Sequence, residues 1–258
     1  MEKIRLGGMA LANGVLVHGP TAWACAVRTE TGELKVVSRR KTLQASRVSN
    51  PLLSGPARLA EALLLLPQVK RALPEAKLPF ERPRVLATMV ASASATQALR
   101  RSRISPFVRE LASGVLSLAP ALLALRGGEL AAYHGAEHVS IGTYEHGEAR
   151  PKEHERCGSH LVGPLVLTSA AGALLAETAP PRYRRTAKAV AALGSLTVAT
   201  ELFGWMTRNP EHPLARALAR PGHELQHRVG TEEPSLEQLE VAQAALDACL
   251  ELEDDHNT

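Results

Sequence analysis

Aromatic residues make up only 3% of this 258-residue chain, too few for the stacking platforms that hold single-stranded nucleic acid. Charge of one sign is scarce as well. Thirty Lys and Arg against 26 Asp and Glu leave a formal net charge of +4, dispersed along the chain, which argues against a nucleic-acid partner. The three cysteines, Cys25, Cys157 and Cys249, are odd in number and far apart, so they give no disulfide framework. Cys25 and Cys249 read as core thiols. The opening Met1 to Gly8 holds no apolar run followed by small residues, so no secretory signal is expected. Long, strongly apolar runs are also lacking. Leu111 to Leu125, Cys157 to Ala176 and Ala189 to Thr200 carry no Asp, Glu, Lys or Arg, but Ala, Gly, Ser and Thr dilute their Leu and Val. A membrane span needs about 20 predominantly apolar residues. These windows and a mean hydropathy of -0.07 leave a soluble bundle and a membrane-embedded one both open.

What the chain does have is Ala and Leu at helical spacing, and enough length to bury a sizeable core. Residues 4–40 read as β structure, with short strands at Val15 to Val17, Thr21 to Arg28 and Leu34 to Val37. Thr31-Gly32 makes a hairpin turn, and Gly7-Gly8, Asn13-Gly14 and Gly19-Pro20 read as further turns. Helices are expected at 57–73 (apolar face Leu59, Leu63, Leu66 and Val69, interrupted at Pro67), 84–100, 107–125, 161–176 and 186–207, with a last one from Ser235 to Glu253. A central helix opened by Gly127-Gly128 should end near His146. Basic turns follow at Arg100-Arg101-Ser102-Arg103 and Arg182-Tyr183-Arg184-Arg185, which would lie on one side of a membrane if the helices between them span it. The expected fold is mainly α with a small N-terminal β element (α+β). Residues 1–48 form a β-meander, and residues 49–258 form a helical domain built as a bundle.

Five of the ten histidines fall between 134 and 160. His134 and His138, four apart, lie on one face of a helix and can offer two imidazoles to one ion, with Glu137 beside them. This His-x-x-Glu-His order is that of the inverted zincins, in which two His bind zinc and the Glu activates water. A surface helix with two solvated histidines is the plain alternative. His154, Cys157 and His160 nearby supply further ligands, and thiolate with imidazole suits zinc over magnesium or calcium. The expected ligand set is His134, His138 and Cys157, completed by Glu201 or His154, with Glu137 as the catalytic base. Glu201 stands alone among Val198, Leu202 and Phe203, and a buried carboxylate is costly unless paired or metal-bound; the other reading is that it faces water. His223-Glu224-Leu225-Gln226-His227 matches the direct zincin pattern, but Pro221-Gly222 and Gly230 leave it about two helical turns and no further ligand motif follows.

The chain resembles the uncharacterised bacterial family called domain of unknown function 1385, whose members are described as predicted metal-dependent membrane proteins. The resemblance is carried by Gly7, Gly8, Ala10, Gly14, Gly19 and Pro20 at the start, and by Tyr133-His134-Gly135-Ala136-Glu137-His138 at the centre. His154, Arg156, Cys157 and Gly158 follow, then Glu201, and finally Pro221, Gly222, Leu225, Gln226, Glu233 and Pro234. Met9, Asn13 and His18 depart from the family's opening, and His223 and His227 are not typical of it. The resemblance implies a metal site and a place at the bacterial cytoplasmic membrane, the alternative location being the cytoplasm; it supplies no substrate. Two functions remain open at this point. One is a zinc-dependent, membrane-associated hydrolase, and the other a non-enzymatic membrane scaffold or assembly factor with a structural metal site.

Overall fold

The computed structural model describes residues 3–126 and 128–254, so Gly127, expected to help open the central helix, lies outside the described residues. Four strands, β1 (Gly7–Leu11), β2 (Gly14–His18), β3 (Ala22–Arg28) and β4 (Leu34–Arg40), form an antiparallel meander in chain order. Eight α-helices follow among the described residues: α1 (Pro51–Ala72), α2 (Pro83–Arg100), α3 (Pro106–Leu125), α4 (Glu129–His146), α5 (Val162–Glu177), α6 (Arg184–Arg208), α7 (Pro213–Leu225) and α8 (Leu236–Asp254). The mainly α architecture with a small N-terminal sheet is the one the sequence predicts. The 48/49 boundary falls in the connection between β4 and α1.

Alternation of side chains along the strands divides the core in two. Ala10, Val15, Val17, Ala24 and Ala26 face a layer made by α4 and α8, with Tyr133, Ala136, Val241 and Leu246 packed against them. Leu11, Leu16, Trp23, Cys25 and Val27 face α1 through Leu65, Leu66, Val69 and Leu73. The sheet is therefore buried on both faces, which is why β3 shows almost no polar alternation.

Several local expectations differ from what is observed. Gly7-Gly8 is not a turn but the start of β1. A Cβ on Gly8 would stand 2.1 Å from Glu137 Oε1, so the missing side chain lets α4 close beneath the strand. α1 starts earlier than expected and runs through Pro67 without a break. Its buried face is Leu65, Leu66, Val69 and Leu73, whereas Leu59 and Leu63 are exposed. Burial of that face against the sheet outweighs the single backbone bond that Pro67 forfeits. α7 likewise continues through Pro221 to Leu225 and then widens into one π-turn at Gln226–Gly230.

α2 with α3 and α5 with α6 form two helical hairpins. Glu177 joins their far ends, with Arg109 Nη2 at 3.4 Å and Lys188 Nζ at 2.9 Å. Three helical stretches, Pro106–Leu125, Gly158–Glu177 and Pro181–Arg208, are long and apolar enough to cross a membrane, and only 11, 22 and 17% of their apolar windows is buried. Their exposed side chains include Phe107, Val115, Leu167, Leu175, Val190 and Leu193. The 20 residues of α3 span about 30 Å, the thickness of a bilayer's hydrocarbon core.

Candidate metal centre

Three of the residues singled out in the sequence come together. His134 and His138 on α4 and Cys157 on the loop before α5 place their ligand atoms within 4.8 Å of one another, a group that could hold a metal ion. Cys157 Sγ is 3.6 Å from His134 Nε2. His134 Nδ1 donates to the Gly230 carbonyl at 2.7 Å, and His138 Nδ1 donates to the Lys152 carbonyl at 2.6 Å. A carbonyl can only accept, so each Nδ1 carries the proton and each Nε2 lone pair is left for the interior of the group. Metal-ligating histidines are held by outer partners in this way. The donor set, two imidazoles and one thiol, fits zinc, and three protein ligands are the number that leaves a further position open.

Glu137 lies against the same atoms. Its Oε2 is 3.9 Å from His134 Nε2 and 3.8 Å from His138 Nε2, and the residue is buried. Burial pushes its carboxyl up to about 7, with His134 pulling the other way. Burial, reinforced by His134, also holds the His138 imidazole neutral, far below the usual range. One helix supplies three of these four side chains because positions 134, 137 and 138 share a face. Gly135 between them is required by packing, since a Cβ there would stand 2.2 Å from the Glu232 carbonyl oxygen.

Other expected ligands are not part of the group. His154 turns its Nε2 to Glu145 Oε2 at 3.1 Å, and Glu145 also pairs with Arg156. Glu201 is half-buried on α6, which packs chiefly on α5 and α1, and it does not join the three ligands. Among the described residues the second zincin-like stretch joins no group that could hold a metal ion. His223 and His227 are exposed with rings 6.3 Å apart, and His227 pairs with Glu153 at 3.0 Å. Cys25 and Cys249 are core thiols pushed up to about 12 by burial.

Gln226 organises the loop that brings Cys157 to the helix. Only 1% exposed, it accepts the His154 backbone N–H at 2.9 Å and donates to Ser159 Oγ at 2.8 Å. Its position after Leu225 in the family-like segment was visible in the sequence, but its role was not. The group opens on a cavity of about 430 Å³ lined by β1, the end of α3 and α4, including Gly8, Ala10, Ala124, Leu130 and Ile141.

No curated protein and no solved structure matches the chain. Residues 129–252 match the family model described as "Protein of unknown function (DUF1385)", and the likeness to that family rests on the segment that carries His134, Glu137, His138, Cys157 and Gln226.

Proposed function

We propose that this protein is a zinc-dependent, membrane-associated hydrolase in which His134, His138 and Cys157 hold the ion and Glu137 is the general base. The observation that carries the reading is the closeness of the two imidazoles and the Cys157 thiol, whose ligand atoms lie within 4.8 Å of one another, with Glu137 beside them and a cavity in front. A zinc ion there would polarise a substrate carbonyl and lower the pKa of a water molecule. Glu137, whose carboxyl is raised by burial, would be the group beside the ligands able to take a proton from an attacking water and return it to a leaving group.

Membrane association is supported by the three long apolar helices and their exposed side chains. A structural role for the metal is the rival reading. It would need a fourth protein ligand, and Glu137, less than 4 Å from both imidazoles, is the nearest carboxylate to serve.

Elemental analysis of the detergent-solubilised protein beside the His134→Ala/His138→Ala variant tests the site. About one zinc per chain, lost in the variant, is expected. Glu137→Gln separates the two readings. It should keep the zinc and lose turnover by roughly 100-fold or more if Glu137 is the base. Loss of the zinc itself would make Glu137 a ligand and the centre structural.

A further inference from the structure

The register of the sheet leaves one edge unpaired beside the metal centre. In the β1–β2 hairpin Leu11 faces Gly14 across a two-residue turn, so Leu11, Met9 and Gly7 exchange hydrogen bonds with Gly14, Leu16 and His18. The backbone N–H of Arg28 donates to the Asn13 carbonyl at 2.9 Å, so the odd positions of β2 serve β3 and the even ones β1. The N–H and C=O groups of Gly8, Ala10 and Ala12 therefore point away from the sheet. Ala12 N–H meets the Lys77 carbonyl at 2.9 Å, which confirms the parity. Gly8 and Ala10 have no such backbone partner among the described residues, and both line the cavity that contains His134, Glu137 and His138.

A strand edge with two free amide sites, one residue apart, is a template for another extended chain. The geometry points to an extended peptide segment as the substrate of this centre, hydrogen-bonded as an added strand to Gly8 and Ala10 so that one of its amides lies over Glu137 and the ligand group. Gly8 touches the Glu137 carboxylate, so a chain paired with that residue passes directly by the reacting groups. The facing wall comes from the end of α3, with Ala121, Ala124 and Leu125, and suits apolar side chains. α3 is also one of the helices long enough to span a membrane, which places apolar peptide segments at the lipid boundary within reach.

The substrate assignment rests on the hydrolase reading, and its chemistry balances with water as the only co-reactant. The water oxygen forms the new C–O bond, the amide C–N bond breaks, and the proton taken up by Glu137 passes to the departing amine. A lipid ester or another small apolar molecule would use the same cavity without using the edge.

The test is fluorescence anisotropy of a labelled peptide of alternating Val and Ala, Lys at each end, with detergent-solubilised zinc-loaded protein. Two further versions carry N-methyl groups on alternate amides, one in each register. If the edge binds the peptide, methylation in one register weakens binding by at least about tenfold and in the other by less than about twofold, since only one set of amides faces β1. Ala10→Pro, which removes an outward N–H without touching the β1–β2 ladder, should weaken the unmethylated peptide by a similar factor while zinc content stays unchanged. Equal tolerance of both methylation patterns, or no peptide binding at millimolar concentration by protein that holds zinc, overturns the assignment and leaves the metal reading standing. The reverse case, period-two binding by protein that takes up no zinc, overturns the hydrolase reading and leaves the strand-docking edge.

Discussion

Gln226 Oε1 accepts the backbone N–H of His154 at 2.9 Å, across 72 residues of sequence. Through this bond and the one to Ser159, a residue outside the ligand group fixes the loop whose middle is Cys157. Gln226→Ala should therefore weaken zinc binding by about 10- to 100-fold, read by competition with a chromophoric chelator. Stability should fall by about 1–3 kcal/mol, because the His154 and Ser159 groups lose their partner inside the fold. Unchanged zinc affinity would mean the loop is held by other contacts.

The thiols should divide sharply in reactivity. Cys25 and Cys249 are buried with their thiols pushed up to about 12, whereas Cys157 is half-buried. Iodoacetamide at pH 8 should label about one thiol per folded chain, and Cys157→Ser should abolish that labelling. Prior addition of zinc should protect it.

Lys41 and Glu61 form an ion pair with both side chains buried, and Glu61 also accepts the Ala45 backbone N–H at 2.6 Å. Removing one partner leaves a charge enclosed without compensation. Glu61→Ala should cost about 3–5 kcal/mol of stability, measured by denaturant unfolding in detergent, and Glu61→Ala combined with Lys41→Met should recover part of it.

Lys41 Nζ also donates to His18 Nδ1 at 3.1 Å. Burial, then the Lys41 charge, brings the His18 imidazole down to about 4 from its ordinary 6.5. Below about pH 6.5 the unfolded chain takes up a proton that the folded chain refuses. The neutral-imidazole contribution is thus complete above pH 6.5 and falls away progressively as the pH drops to 4, by up to about 3 kcal/mol. His18→Phe should flatten the stability profile in that window alone. An unaltered profile would remove His18 from the account.

Much of the candidate group of His134, His138 and Cys157 was legible because helical spacing is local. His134, Glu137 and His138 share a face by arithmetic, and Cys157 was the single thiol with imidazole neighbours in the chain. Glu201 could be read either as a ligand or as facing water because its neighbours in sequence are apolar; α6 packs on α5 and α1 and leaves it half-buried, outside the group formed by His134, His138 and Cys157. β1 was not recognised, since two consecutive glycines signal a turn unless something else occupies the space of their side chains. Here that occupant is Glu137, more than a hundred residues away, and no local pattern encodes such an approach. Of the expected apolar face of α1, Leu66 and Val69 are buried and Leu59 and Leu63 are exposed, because Leu63 to Leu66 are four consecutive leucines and periodicity carries little information in such a run.

Glu253, close to the end of α8, accepts the backbone N–H groups of Thr21 and Ala22 at 2.8 and 2.6 Å and the Thr21 hydroxyl at 2.8 Å. The last helix therefore closes one face of the first sheet. Contacts of such sequence separation make for slow folding, and during synthesis the part of the β2–β3 face that α8 covers stays open, with only α4 beside it, until residues 236–254 have left the ribosome. In that interval the apolar residues of β2 and β3 that α8 later covers are open to non-native association.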